Sequence, residues 1–178
     1  LCALMLVEVL IEAGLPPGVL NFVTGLGAKV GMAIVDDPRV KAISLTGSTE
    51  VGRRVAGRCG ELMKKVSCEL GGKNANILDA SADLKHAIPA IVFGAVGTAG
   101  QRCTTTRRLI VHESVYDDVL AKLVAAYKQV EKKIGDPTDP ANLMGPLNSK
   151  DGVDAYLDSI AKAKAAGGKV ETGGEAID

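Results

Sequence analysis

The stretch VKAISLTGSTEVGRRVAGRCGELMKKVSCEL, residues 40–70, predicts a strand, a helix and a second strand in direct succession. Residues 40–47 form a continuous apolar run, which is typical of a strand buried on both faces of a parallel sheet. Residues 48–63 have the pattern of a helix, and residues 64–70 that of a strand. Two strands joined by a helical crossover pair in parallel, so this stretch predicts an α/β fold.

The segments on both sides continue the alternation. Upstream, residues 1–13 predict a helix, residues 19–25 a short strand and residues 28–37 a helix, which extends the pattern to that of a doubly wound parallel sheet. Downstream, the sequence predicts strands at 74–79 and 107–114 and helices at 82–101, 115–133 and 149–168. The glycine pair Gly71-Gly72 separates the two halves, and we place the domain boundary there.

The composition narrows the class of protein. The chain has 178 residues, of which 47% are hydrophobic and 24% charged, an ordinary globular balance. Lys plus Arg and Asp plus Glu both number 21, and this zero net charge argues against a nucleic-acid or membrane partner. The four cysteines are Cys2, Cys59, Cys68 and Cys103. They form no C-x-x-C pair, which argues against a metal site and a disulfide framework and favours a reducing compartment. We expect a cytoplasmic location, or a mitochondrial one in a eukaryote.

Both ends of the sequence have the pattern of a helix or strand that is cut short. The opening LCALMLVEVLIEAG lacks Met and a basic segment, carries Glu8 and Glu12, and is too short to cross a bilayer. It therefore matches neither a signal peptide nor a membrane helix. The closing GGKVETGGEAID stops after an apparent strand and turn. We expect the chain to be a central fragment of a longer protein.

The stretch TGSTEVG, residues 46–52, is the first with potential for chemistry. Gly47 permits a tight turn after the buried strand, Ser48 is a typical helix N-cap, and the free N–H groups of a helix start can bind a phosphate. The stretch is not a P-loop, because Arg53 and Arg54 stand where that motif has Lys and Ser or Thr. A plain capped turn is the alternative.

A second glycine-rich stretch, GLGAKVG at residues 25–31, approximates a dinucleotide-binding fingerprint. It has one residue too many between its last glycines, Gly27 and Gly31. The pattern alone is compatible with a cofactor contact or with a simple turn that packs a helix.

The stretches CELGG (68–72) and GTAGQRCTTT (97–106) contain the candidate catalytic groups. Glu69 ends a strand beside two glycines and could act as a general base, or it could be a solvated strand-end glutamate. Cys103 follows Arg102, and nearby cations favour a reactive thiolate. The alternatives are an inert buried cysteine and a Cys–His hydrolase with His86 or His112, neither of which has a motif around it.

The three stretches together resemble the aldehyde dehydrogenase superfamily. LTGSTEVG, ELGGKNANI and GTAGQRCTT stand in this order, with Glu69 22 residues after Gly47 and Cys103 34 residues after Glu69. The resemblance covers essentially the whole chain. GTAGQRCTTTRRLIVHESVYDDV is especially similar to the branch that contains the α-aminoadipic semialdehyde (piperideine-6-carboxylate) dehydrogenases.

The resemblance implies a role for each motif. Cys103 would be the nucleophile and Glu69 the general base of an aldehyde oxidation that proceeds through a thioester. The cofactor would be NAD, with NADP as the alternative, and its contacts would be Gly27, Gly31, Gly47, Ser48 and the backbone of Leu70. Residues 1–71 would be the C-terminal part of the NAD-binding domain, and residues 72–178 the N-terminal part of the catalytic domain.

The resemblance also implies a substrate and an assembly. The substrate would be α-aminoadipic semialdehyde of lysine catabolism, with Arg102 bound to its carboxylate, and the full-length protein would be a homodimer or homotetramer. Residues that complete the family's site fall outside the chain, so we expect the fragment alone to be inactive. The alternatives are a CoA-acylating semialdehyde dehydrogenase, which the presence of Glu69 disfavours, and a non-catalytic binding or structural fragment.

Overall fold

The structure, a computed structural model, describes residues 1–177 and contains two compact units. The first unit is Leu1–Leu70, and the second begins at Gly71. Each unit has a two-stranded parallel sheet with helices packed on it. Among residues 1–177, no helix is both long and apolar enough to cross a membrane.

The first unit is built around a β-α-β crossover. Its elements are α1 (Cys2–Glu12), α2 (Met32–Asp36), β1 (Ala42–Gly47), α3 (Thr49–Glu61) and β2 (Lys65–Leu70). β1 and β2 pair in parallel, and Val35, Val55 and Cys59 form the buried core beside the sheet. The strand, helix and strand predicted for residues 40–70 are confirmed.

The strand predicted at residues 19–25 is wrong. This segment is irregular, and the apolar side chains Val19, Leu20, Phe22 and Val23 are exposed. A strand is stable only when its backbone pairs with a neighbour, and within residues 1–70 the described ladder joins β1 to β2 alone. The predicted helix at 28–37 is present, as a π-helical turn at Gly27–Gly31 that continues into α2.

Within residues 71–177, the second unit has two strands and three α-helices. Its elements are β3 (Ala75–Leu78), α4 (Leu84–Val96), β4 (Arg108–Val111), α5 (Tyr116–Glu131) and α6 (Lys150–Ala165). β3 and β4 pair in parallel, and a core of buried aliphatic side chains joins β3, α4 and α5. A short 3₁₀ turn, Glu113–Val115, leads into α5.

The helix predicted for residues 82–101 ends earlier than expected. α4 stops at Val96, and the next residues, Gly97–Gly100, include Thr98 and Ala99 in the left-handed backbone region. The apolar and small residues of this segment favour a longer helix, but left-handed dihedral angles cannot continue a right-handed one. The turn therefore separates α4 from the segment that carries Cys103.

Candidate functional site

The carboxyl edge of the β1–β2 sheet brings four of the predicted site residues together. Thr46 lies opposite Glu69 and Gly47 opposite Leu70 in the parallel register. Ser48 follows directly as the N-cap of α3. The carboxyl ends of parallel strands are where ligands of α/β sheets generally bind. The first unit thus gathers Gly47, Ser48, Glu69 and Leu70 at one edge.

The start of α3 has the donors that an anionic ligand requires. Ser48 Oγ accepts a hydrogen bond from the N–H of Val51 at 3.2 Å. Within residues 1–177, the N–H groups of Thr49 and Glu50 have no hydrogen-bond acceptor. A Cβ built on Gly47 would have Leu45 Cδ1 as its nearest neighbour, at 3.9 Å, so a ligand could approach this backbone closely. These features fit a phosphate or pyrophosphate group.

Gly52 allows α3 to pack in direct contact with Leu70, the last residue of β2. A Cβ on Gly52 would lie 2.6 Å from Leu70 Cδ2 and 2.7 Å from Leu70 Cδ1. Gly52 is buried, and Leu70 is half-buried above it. The absence of a side chain at Gly52 therefore sets how closely the end of β2 approaches the helix.

Gly27 and Gly31 open and close the π-helical turn before α2. A Cβ at either position would meet no atom within 4 Å. Packing therefore does not require glycine at these two positions. Open space above the backbone is compatible with the predicted cofactor contact.

Glu69 is exposed at the end of β2. Its strand neighbours Cys68 and Leu70 are half-buried, because alternate residues of a strand face opposite sides of the sheet. The structure leaves its oxygens accessible to water.

Cys103 lies in a loop that follows a strained turn. Thr98, Ala99 and Gly100 have φ angles of 55°, 53° and 71°, three successive left-handed residues. For a β-branched threonine this conformation is rare, and such strain is concentrated at functional sites. Cys103 itself is exposed, so the described chain does not bury this cysteine as the inert alternative expected.

The Arg102 side chain is held against Thr98 of the left-handed turn and Phe93 of α4. Its Nε donates to Thr98 Oγ1 at 2.8 Å, and its guanidinium lies 5.6 Å from the centre of the Phe93 ring. A Cβ on Gly97 would meet Arg102 Nη1 at 3.0 Å, so Gly97 leaves room for this arrangement. Among the described residues, the terminal Nη1 and Nη2 groups have no hydrogen-bond partner.

Two residues that the sequence did not single out hold the backbone around Cys103. Asn74 Nδ2 donates to the carbonyl oxygens of Cys103 at 2.5 Å and Thr105 at 3.0 Å. Thr105 is 3% exposed, and its Oγ1 accepts a hydrogen bond from the N–H of Arg102 at 3.1 Å. The motif ELGGKNANI contains Asn74, but nothing local in the sequence indicates acceptors 29 and 31 residues away.

The histidines have local partners instead of a cysteine. His86 Nδ1 lies 2.9 Å from Asp83 Oδ2, and His112 Nδ1 lies 2.8 Å from Ser114 Oγ. Both contacts lie at the beginning of helical segments, so the structure does not support a Cys–His hydrolase. Within residues 1–177, no cluster of three His, Cys, Asp or Glu side chains is arranged to hold a metal ion.

Comparison with known proteins decides the family. Residues 1–178 match the aldehyde dehydrogenase family. The chain belongs to the aldehyde dehydrogenase family.

Two curated relatives are similar to this chain over nearly all of its length. The chain is 48% identical over 171 residues to a putative aldehyde dehydrogenase family 7 member A1 homolog of Caenorhabditis elegans, covering 96% of this chain and 32% of the relative. It is 45% identical over 168 residues to the α-aminoadipic semialdehyde dehydrogenase of Rattus norvegicus, covering 94% and 31%. The chain thus spans about a third of the length of these relatives.

Two solved structures share the fold of this chain. The HpcC protein of Thermus thermophilus superposes with a TM-score of 0.94 at 38% identity, covering 98% of this chain and 34% of that one. A betaine aldehyde dehydrogenase of Staphylococcus aureus, solved with NAD⁺, gives a TM-score of 0.96 at 30% identity, covering 100% and 35%. The predicted α/β fold of an aldehyde dehydrogenase and the predicted family are confirmed.

Proposed function

We propose that the full-length protein oxidises an aldehyde to a carboxylic acid with NAD(P), with Cys103 as nucleophile and Glu69 as general base. The observation that carries this proposal is the match to the aldehyde dehydrogenase family over the whole chain. The exposed Cys103 after a left-handed turn supports it. Residues 1–71 then belong to the NAD-binding domain and residues 72–178 to the catalytic domain.

The first unit supplies groups that fit NAD(P). The pyrophosphate would be held by Gly47, Ser48 and the N–H groups at the start of α3, which have no acceptor among residues 1–177. The helix dipole at this end favours negative charge. The Leu70 backbone would contact the nicotinamide part of the cofactor, and Gly27 and Gly31 the adenosine part. When bound, NAD(P) accepts the hydride that the oxidation removes. A relative solved with NAD⁺ supports this cofactor.

Cys103 forms the covalent bond to the substrate. Its Sγ thiolate attacks the aldehyde carbon, and the carbonyl electron pair moves onto oxygen as an alkoxide. The Cys103 N–H has no acceptor within residues 1–177 and donates to this alkoxide. Loss of the hydride restores the carbon–oxygen double bond, which leaves the acyl group on sulfur as a thioester.

Glu69 completes the reaction. It takes a proton from water as the water oxygen attacks the thioester carbon, and the carbon–sulfur bond then breaks with the electron pair returning to Cys103. The exposed position of the Glu69 carboxylate gives it access to water. A base in this role directs the thioester to hydrolysis, which favours the carboxylic acid as product over acyl-CoA.

The substrate is a semialdehyde with a carboxylate at its far end, namely α-aminoadipic semialdehyde. Two observations support this substrate. A 45% identical relative is named for it, and the two terminal groups of Arg102 are free for a carboxylate. The full-length protein is a homodimer or homotetramer.

The proposal is tested by the NADH burst, the rapid first turnover before the thioester is hydrolysed. In the full-length protein, Cys103→Ala removes the nucleophile, so we expect neither burst nor turnover. Cys2→Ala is the matched control, because Cys2 is also an exposed free thiol. Equal loss in the control, or a burst in Cys103→Ala, would contradict the nucleophile assignment.

Glu69→Gln separates formation of the thioester from its hydrolysis in the same experiment. It keeps the size of the side chain and removes the base, so we expect a full burst followed by turnover slowed about 100-fold or more. Analysis of the product with and without CoA distinguishes hydrolysis from acyl transfer. A missing burst in Glu69→Gln would show that this residue acts before the thioester forms.

A further inference from the structure

We propose that Asn74 is a positioning residue that orients Cys103 for attack, an inference that rests on the proposed role of Cys103 as nucleophile. Asn74 immediately precedes β3, and its side chain is half-buried. Both hydrogen bonds of its amide nitrogen end on carbonyl oxygens on either side of Thr104, those of Cys103 and Thr105. A carbonyl cannot donate, so the chemistry of the acceptors fixes which end of the carboxamide faces the loop.

The bonds around Cys103 fix both peptide groups that flank it. Asn74 holds the carbonyl of the peptide that follows Cys103. The carbonyl of the peptide that precedes it, on Arg102, accepts the N–H of Thr105 at 3.2 Å. When both flanking peptides are held, the direction of the Cys103 Cα–Cβ bond is set. The N–H of Cys103 is left free for a developing alkoxide.

The main chain of Asn74 contributes to the same arrangement. Its carbonyl oxygen accepts the N–H groups of Arg107 at 2.9 Å and Arg108 at 3.0 Å, where the loop enters β4. The loop is also tied to α4, since Thr106 N–H donates to the Gly94 carbonyl at 3.0 Å. Asn74 therefore fixes the loop at its middle and at its end.

Gly72 leaves space for the carboxamide. A Cβ at Gly72 would lie 2.7 Å from Asn74 Oδ1, which is closer than such atoms approach. The Asn74 amide thus lies between the Gly72 backbone and the carbonyls of the Cys103 loop. Its position is set from both sides, which is what a positioning residue requires.

The test measures the rate of the NADH burst in the full-length protein. Asn74→Ala removes both donors but leaves room for a bridging water, whereas Asn74→Asp places a carboxylate against two carbonyl oxygens. We expect the burst to slow about 10-fold in Asn74→Ala and about 100-fold in Asn74→Asp, the scale on which a displacement of about 1 Å acts. The KM for aldehyde should change less than about threefold.

The order of the two variants separates positioning from packing. Asp has the shape of Asn, so a packing role would leave Asn74→Asp faster than Asn74→Ala. That order would overturn the proposal, and so would a wild-type burst rate in Asn74→Ala. If Asn74→Asp does not fold, Gly72→Ala decides in its place, because it displaces the carboxamide and keeps both donors. We expect it to slow the burst about 10-fold, and an unchanged burst would overturn the proposal.

Asn76→Asp is the matched control on the same strand. Asn76 Nδ2 donates to Thr106 Oγ1 at 3.0 Å, and a hydroxyl can turn to donate to a carboxylate instead. We expect its burst rate within about twofold of the wild type. An equal loss in Asn76→Asp would overturn the specific role of Asn74. Failure of the underlying function is distinguishable, because it would appear as a burst in Cys103→Ala.

Discussion

Among the described residues, the Arg102 guanidinium has one nitrogen bonded within its own loop and two without a partner. Its Nε donates to Thr98 Oγ1, in the middle of the left-handed turn, and its planar group lies over Phe93. These contacts stabilise the turn and at the same time orient the guanidinium. Nη1 and Nη2 can then form two parallel hydrogen bonds to a carboxylate.

Arg102→Ala should therefore discriminate between substrates. We expect kcat/KM for α-aminoadipic semialdehyde to fall about 10- to 100-fold more than kcat/KM for hexanal, since the lost bond is to a charged group. A fall in kcat/KM that is the same for both substrates would measure how much Arg102 stabilises the left-handed turn. The measurement is steady-state kinetics of the full-length protein with both aldehydes.

Arg107→Ala is the control for charge near the loop, because Arg107 is exposed and four residues from Cys103. We expect it to affect the two aldehydes equally. If Arg102→Ala also affects them equally, Arg102 stabilises the loop and does not contact the carboxylate.

Sequence reasoning at the residue scale identified groups that sit in local motifs. Cys103, Glu69 and Ser48 were candidates because a glycine turn, a strand end and a helix start are local features, and the family resemblance then implied a role for each. Asn74 could not be found in this way. Its proposed role depends on carbonyls that β-strand pairing brings to it from 29 and 31 residues away.

At the scale of the element, α3 links the stability of the first unit to the proposed cofactor edge. It carries Gly52, whose missing side chain admits Leu70, and Gly57, where a Cβ would meet no atom within 4 Å. Glycine in a helix interior costs about 0.5–1 kcal/mol relative to alanine. The two positions lie on one helix and differ mainly in what surrounds them.

The paired variants Gly52→Ala and Gly57→Ala should have opposite effects. We expect Gly57→Ala to raise the free energy of unfolding by about 0.5–1 kcal/mol. Gly52→Ala should lower it by about 1–3 kcal/mol through overpacking against Leu70, and should weaken NAD binding by moving the end of β2. Denaturant unfolding and NAD titration of the full-length protein measure both. A stabilised Gly52→Ala would contradict the close packing of α3 on Leu70.

The helices and strands were predicted correctly where the periodicity of the sequence matches the packing of the element in the structure. β1, α3 and β2 follow from an apolar run, a segment with the pattern of a helix and a second strand pattern. Residues 19–25 are also apolar and β-prone, yet they do not form a strand. A strand depends on a partner backbone, which no local sequence property specifies.

At the scale of the whole molecule, the described chain exposes an unusual amount of apolar surface. On α1, Leu6, Val9 and Ile11 are 61%, 59% and 59% exposed, and no residue of this helix is buried. In the second unit, Ile77 and Phe93 are 79% and 63% exposed. Folded monomers rarely expose contiguous apolar patches of this kind, because burial of such surface stabilises association.

The 178-residue chain expressed alone should therefore self-associate. Exposed apolar helix faces and the open edges of its two-stranded sheets both favour contacts between chains. We expect sedimentation velocity to show species larger than a monomer and thermal unfolding to be broad.

Leu6→Glu should shift the distribution toward smaller species, because it places a charge on the exposed face of α1. Glu8→Asp, on the same helix, is the control that should change nothing. A monomer at all concentrations with a sharp cooperative melt would contradict this expectation, because it would show that the two small cores suffice without covering the apolar surface.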